Sequence, residues 1–324
     1  MLQEVLRAYL TTFLKVWSPT KATIIVTTKK INILTLAICL LAFMCAGQKA
    51  HAQLLGTSFP SSFRGTKTNE IEGEAHLALF FQKVKRGQNV KVMQIGDSHV
   101  RGNILPHTIQ NTLQKYFPRL TFAYYGINGA WAKRFNEQDM INRVAAERPD
   151  LVIVSFGTNE AHGANLNETV HAQTMLTLMK RIRERCPKAQ FLFTTPPGSF
   201  ISHRSPTGRR GRHTTYSTSR VPNANTGRVA RSIVSFCKAN KAASWDLYSI
   251  AGGDSYAANN WRNAGLMNTD AIHFLASGYT LQGKLLGEAL YKAYSQTALP
   301  GSQTRMMHEP TPKEKKPYKS LQGF

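Results

Sequence analysis

Val92-Met93-Gln94-Ile95-Gly96-Asp97-Ser98-His99 reads as a short apolar strand that halts at Gly96 and delivers Ser98 into a tight turn. Behind it, Ile104, Leu105, Ile109, Leu113 and Phe117 recur at helical spacing. A serine between the end of a strand and the start of a helix is exposed at a sheet edge, close to backbone N–H groups that can stabilise an anion. Gly-Asp-Ser by itself marks many ordinary turns. Its weight depends on what the rest of the chain brings to it.

Working outward, a helical pattern over about 71–85 (Ala78, Leu79, Phe81, Val84) precedes this strand. A second strand is predicted from Leu120 to Ile127 and a third from Asp150 to Phe156. A helix over about 169–186 leads to a fourth strand, Gln190 to Thr195, stopped by Pro196-Pro197-Gly198. A helix over about 226–239 then leads to a fifth strand, Ala243 to Tyr248, and a last helix over about 277–294 carries Leu281, Leu285, Leu286, Ala289 and Leu290 on one face. Strands that alternate with helices, several of them continuous apolar runs, indicate an α/β fold with a parallel sheet covered on both faces.

The ends read differently. Lys29-Lys30, the uncharged run from Ile31 to Gly47 and Ala50-His51-Ala52 follow the charged, apolar, A-x-A order of a secretory signal, with cleavage expected after Ala52. The stretch before the apolar run is long for a signal, which suggests a later start site. Residues 53–74, polar and Gly/Ser-rich at their start, read as a linker, 75–297 as the folded domain and 298–324 as a disordered basic tail. The whole chain carries 41 Lys+Arg against 18 Asp+Glu; without residues 1–52 the balance is 35 against 17, or +18. Such a balance suits an anionic cell envelope, and export argues against nucleic acid as partner. Cys186 and Cys237 fall on apolar helical faces as small buried hydrophobes, with a disulfide between them as the alternative. No Cys/His cluster has metal-ligand spacing.

Three more turns are chemically loaded: Gly126-Ile127-Asn128-Gly129 after the second strand, Gly157-Thr158-Asn159-Glu160 after the third, and Asp270-Ala271-Ile272-His273 before the last helix. In the doubly wound order 2-1-3-4-5, strands one, two and three are neighbours and ligands bind at the switch point among them. Ser98, Gly129 and Asn159 would meet there. Singly, Gly129 is a turn glycine, Asn159 a turn or cap residue, Asp270 a helix cap and His273 a core histidine. Together and in this order they supply a reaction. His273 can take the proton of the Ser98 hydroxyl, and Asp270 can hold the other ring nitrogen. The Ser98 N–H, the Gly129 N–H and the Asn159 side-chain amide can stabilise an oxyanion.

These four blocks resemble the signature blocks of the SGNH (GDSL-type) hydrolase superfamily. Ile95-Gly96-Asp97-Ser98-His99, Ser155-Phe156-Gly157-Thr158-Asn159-Glu160-Ala161 and Ile272-His273-Phe274 are similar to its exported branch related to peptidoglycan O-acetylesterases. The resemblance implies a flavodoxin-like, doubly wound five-stranded sheet with no metal or other cofactor. It implies Ser98 as nucleophile, Asp270 and His273 completing the triad, and Gly129 and Asn159 in the oxyanion hole. His99 stands where the common form has Leu and is given no catalytic role.

For the substrate, Arg204, Arg209, Arg210, Arg212, Arg220, Arg228 and Arg231 lie between Glu184 and Asp246 with no acidic residue among them. That stretch reads as a long connection after strand four, either a basic rim (Arg209 and Arg210 above all) for an anionic polymer or a solvated insertion. Trp131 and Trp261 are candidates to stack on sugar rings, or else core aromatics. The expected function is an exported, periplasmic or envelope-associated serine esterase acting on an O-acetylated glycan. A lipase or lysophospholipase, and an acetyltransferase or glycan-binding protein on the same scaffold, are the alternatives.

Overall fold

In a computed structural model of the chain, residues 56–297 other than 211 and 212 are described. The expected signal segment and basic tail lie outside them. Among the described residues there are seven strands: β1 (Val90–Gly96), β2 (Leu120–Gly126), β3 (Leu151–Ser155), β4 (Gln190–Thr194), β5 (Phe200–Arg210), β6 (His213–Pro222) and β7 (Ala243–Trp245). Five form a parallel sheet in the order β2-β1-β3-β4-β7. This is the expected 2-1-3-4-5 order, its fifth member being seventh in the chain because β5 and β6 make a separate antiparallel ribbon.

Among the described residues the α-helices are α1 (Ala78–Lys85), α2 (Ser98–Arg101), α3 (Ile104–Gln114), α4 (Gln138–Ala146), α5 (Thr158–His162), α6 (Glu168–Arg185), α7 (Ala224–Asn240), α8 (Leu247–Ile250), α9 (Gly253–Asn263) and α10 (Ala276–Gln296). The period of two along each central strand divides the core into two layers. Val92, Leu151, Ile153 and Leu192 face Phe80, Phe81, Ile109, Leu113, Leu285 and Leu290 of α1, α3 and α10. Met93, Ile95, Val152, Val154, Phe191 and Phe193 face Met140, Met175, Ile182, Ile233 and Phe236 of α4, α6 and α7. Burial of each such side chain contributes roughly 1.5–3 kcal/mol, which is why mainly apolar strands occupy the middle of the sheet, with Gln94 of β1 buried among them. Cys186 and Cys237 are buried free thiols in the second layer.

Two parts of the chain differ from expectation. Residues 57–72, read as linker, are a strap fastened along the domain. Phe59 stacks on Phe63, and both rings meet Trp261 edge-on. Asn69 donates to the Leu285 carbonyl and accepts from the Trp245 indole, while Glu72 bridges to Ser244. The polar composition concealed two aromatic anchors and a set of backbone bonds. The connection after β4 is the β5–β6 ribbon; its Ser, Thr and Arg residues lack the apolar alternation by which a half-buried strand is recognised.

The sheet register positions the site. Gly96 pairs with Gly126 on one side and Ser155 on the other, so β1, β2 and β3 end level. Gly126 has no room for a side chain: a Cβ there would lie 2.3 Å from the Arg101 nitrogen and 2.7 Å from the Asp97 carbonyl oxygen. The turn after β1 therefore rests directly on the end of β2.

Candidate active site

Ser98 opens the single turn α2, which Asp97 caps by accepting the His99 N–H at 2.9 Å. Across from it, a tight loop runs from Asn268 to Phe274, closed by the Asn268 N–H donating to the His273 carbonyl at 2.8 Å. Within that loop Ala271 takes a positive φ of 59°. One oxygen of Asp270 accepts the N–H groups of Ile272 and His273, each at 2.9 Å, and the other lies 2.6 Å from His273 Nδ1. His273 Nε2 lies 2.8 Å from Ser98 Oγ. The three predicted residues are thus brought into one hydrogen-bonded row.

Partial burial works against the Asp270 carboxylate, but the Ile272 N–H, the His273 ring and the His273 N–H outweigh it and hold its pKa below the ordinary value. An ionised Asp270 accepts from Nδ1–H. That fixes the tautomer in which Nε2 has a lone pair aimed at the serine hydroxyl. The Ser98 O–H then donates to Nε2, the arrangement from which a serine loses its proton as it attacks.

Gly129 follows β2 with φ 68°, and a Cβ there would meet nothing within 4 Å. Its requirement is therefore for the left-handed backbone and not for space. Asn159, in α5, donates its side-chain amide to the Ala130 carbonyl at 3.0 Å and to Asp97 Oδ2 at 3.4 Å. The second contact is long, and it is the one an oxyanion could replace. An open cleft is lined by Ser98, Arg101, Gly102, Asn128, Gly129, Asn159, His162, Ile272, His273 and Tyr279.

Several residues given no role from sequence shape this site. The Glu160 carboxylate is buried and accepts the N–H of Ala132 at 2.7 Å and of Gly157 at 3.0 Å. Burial raises its pKa, and the Ala132 amide leads those opposing the rise. An acid three residues after the start of a helical turn is the sequence signal that could have identified it. Full burial pushes the Asp97 carboxyl up to about 7, against the opposing His99 N–H and with help from nearby Glu160. His99 is buried behind the reactive histidine, its ring centroid 5.2 Å from that of His273, and Nδ1 meets the Tyr279 hydroxyl at 2.9 Å. Burial, then the neighbouring His273, pushes its pKa down to about 3, so the ring is neutral. His162 pairs with the Ser199 hydroxyl at 2.9 Å, and burial lowers its pKa.

The four substrate-rim candidates separate. Trp261 is fully buried, donates its indole N–H to the Pro197 carbonyl at 3.0 Å and packs against Phe59, Phe63 and Phe274. It cannot stack on a sugar, and it is corrected here to a core residue. Its apolar neighbours come from distant parts of the chain, so local sequence did not reveal them. Trp131 is 44% exposed and lies over Gly163, just past α5. Arg209 and Arg210 belong to the β5 backbone, but their side chains lie outside the described set. Of the other arginines in this stretch, Arg228 pairs with Glu168 at 2.7 Å and Arg231 with Asp254 at 2.8 Å, both from α7.

The profile of the GDSL-like lipase/acylhydrolase family matches residues 94–281, more than half of the chain. Among solved structures, the fold is similar to that of a peptidoglycan O-acetylesterase, with 17% identity, 72% of this chain and 99% of the other covered, and a TM-score of 0.58. A carbohydrate esterase family 3 protein from Talaromyces cellulolyticus is 14% identical over 64% of this chain and 100% of its own, with a TM-score of 0.47. A GDSL-like lipase from Bacteroides thetaiotaomicron is 17% identical over 68% of this chain and 100% of its own, with a TM-score of 0.40. No curated protein matches the chain in sequence. With a profile match that runs from β1 into α10 across all four loaded turns, the chain belongs to the GDSL-like lipase/acylhydrolase family of the SGNH superfamily, and is a serine hydrolase that acts on ester bonds.

Proposed function

We propose that this protein is an exported esterase that removes O-acetyl groups from cell-wall glycan or a related surface polysaccharide, with Ser98 as nucleophile. The observation that carries the reaction is the row Ser98–His273–Asp270, with its 2.8 Å and 2.6 Å contacts, opening into a cleft. His273 Nε2 takes the Ser98 proton as Oγ bonds to the acyl carbon. Negative charge moves to the carbonyl oxygen, toward the N–H groups of Ser98 and Gly129 and the Asn159 amide. Loss of one such donor typically costs about 100- to 1000-fold in rate. Collapse expels the sugar oxygen, which recovers the proton from His273. Water, deprotonated by the same imidazole, then releases acetate from Ser98.

The cleft argues for a short acyl group. Asn128, Asn159, His162 and Arg101 are among its lining residues, and Ile272 is its one aliphatic side chain. A lipase needs an apolar channel for a long chain. The fold shared with a peptidoglycan O-acetylesterase agrees with this reading, as does the signal-like order of residues 29–52. Acetate release from O-acetylated against de-acetylated cell wall tests it, with Ser98→Ala as control. Acetate from the acetylated wall alone, and none with Ser98→Ala, is expected. Preference for long-chain p-nitrophenyl esters would replace this reading with a lipase, and acetate passing to an added sugar instead of water would replace it with a transferase.

A further inference from the structure

The β5–β6 ribbon is an element that the folded domain does not explain. Between Phe200 and Pro222 the chain carries five arginines and two histidines and no acidic residue. The ribbon's described side chains from Ile201 to Arg220 are exposed on both faces, Ser205 alone being half-buried. A two-stranded ribbon with both faces in water is marginal by itself, so its form suits a surface that another molecule covers.

The register arranges its two faces differently. On one, Ser202 stands opposite Arg220, Arg204 opposite Thr218 and Pro206 opposite Tyr216. The Arg204 guanidinium lies 4.0 Å from the centre of the Tyr216 ring, itself 49% exposed. Stacking of this kind orders the guanidinium while leaving its edge free to grip a carboxylate in two-pronged fashion. On the other face, His203 stands opposite Ser219 and Ser205 opposite Ser217, a row of small polar groups suited to sugar hydroxyls.

The root of the ribbon joins the active site. The Phe200 N–H donates to the Ala271 carbonyl at 3.0 Å, inside the loop that carries Asp270 and His273. Ser199, one residue earlier, holds His162 in the cleft wall. Phe200 is buried, with the Arg262 guanidinium 4.9 Å from its ring centre.

We infer that the ribbon is a binding arm for an acidic polysaccharide, one whose sugar carboxylates seat on Arg204 and Arg220 while an acyl group of the same chain enters the cleft. This rests on the esterase reading. A basic ribbon also fits nucleic acid, but nucleic acid carries no carboxylic ester. An O-acylated acidic glycan carries both the charge and the scissile bond.

The test is binding of full-length Ser98→Ala protein, which needs no turnover, to alginate, neutral dextran and double-stranded DNA at low and moderate salt. The expected result is binding to alginate that weakens with salt, no binding to dextran, and a loss of at least about 10-fold in R204E/R220E at an unchanged melting temperature. Equal alginate affinity in that variant, equal binding of dextran, or tighter binding of DNA than of alginate would each overturn the inference. If wild-type protein also fails to cleave p-nitrophenyl acetate, the esterase reading falls separately, whatever the binding result.

Discussion

The Glu160 carboxylate ties the Ala132 N–H, after β2, to the Gly157 N–H, after β3, and so holds together the two loops that carry Gly129 and Asn159. Replacement by alanine would strand two buried amide donors, at about 1–3 kcal/mol each. Glu160→Ala should therefore lower the denaturant midpoint and cut kcat together. Glu160→Gln, which keeps one acceptor, should lie between. A Glu160→Ala protein with unchanged stability and activity would show that the two loops hold their positions without this clamp.

Asp97 and His99 should impose opposite pH dependences on stability. Burial lifts Asp97 to about 7 from 3.8, so the folded state holds this proton more tightly than the unfolded state does. Its contribution is full at low pH and is lost as pH rises toward 7, by on the order of 4 kcal/mol. Burial drops His99 to about 3 from 6.5, so its contribution is full above about 6.5 and is lost as pH falls toward 3. Over the shared window from about 4 to 6.5 the two slopes oppose each other. Asp97→Asn should steepen the rise of stability with pH there, and His99→Phe should flatten it. Denaturant midpoints measured at half-unit pH steps check both.

Asp270→Asn should keep the loop and lose the reaction. Its side-chain oxygen can still accept the Ile272 and His273 amides, but its NH2 would face His273 Nδ1. The ring would then carry its proton on Nε2, pointed at Ser98, where it cannot act as base. A fall in kcat of roughly 10³- to 10⁴-fold with little change in melting temperature is expected.

Trp131, at the start of the 3-10 turn Ala132–Asn136, presents a half-exposed indole over Gly163. If it stacks on the glycan, Trp131→Ala should raise KM on O-acetylated glycan roughly 3- to 10-fold, matching about 0.5–1.5 kcal/mol of stacking. KM for p-nitrophenyl acetate should move less. Equal shifts on both substrates would place its effect in the loop and not in sugar contact.

Much of this architecture was legible before any coordinates. Continuous apolar runs marked the central strands, because a strand buried on both faces needs little polar relief. The order of the sheet was expected from the resemblance of the four turns to the SGNH blocks, since the doubly wound rule by itself allows more than one order. Ser98, Asp270 and His273 were identified by residue type and by the elements they border, and the fold brings them into contact. What stayed hidden depends on distant partners. Trp261 is a core residue because Phe59, Phe63 and Phe274 arrive from remote segments. Glu160 acts through amides on two different loops, and the ribbon is held by backbone pairing that leaves no apolar period in its sequence.

The central claim is that His273 activates the Ser98 hydroxyl, and a fluorophosphonate label located by peptide mass spectrometry tests it most directly. The account predicts a single adduct on Ser98 in the wild-type protein and its near-complete loss in His273→Ala with the fold intact. An adduct on another serine, or labelling of Ser98 undiminished without His273, would contradict it.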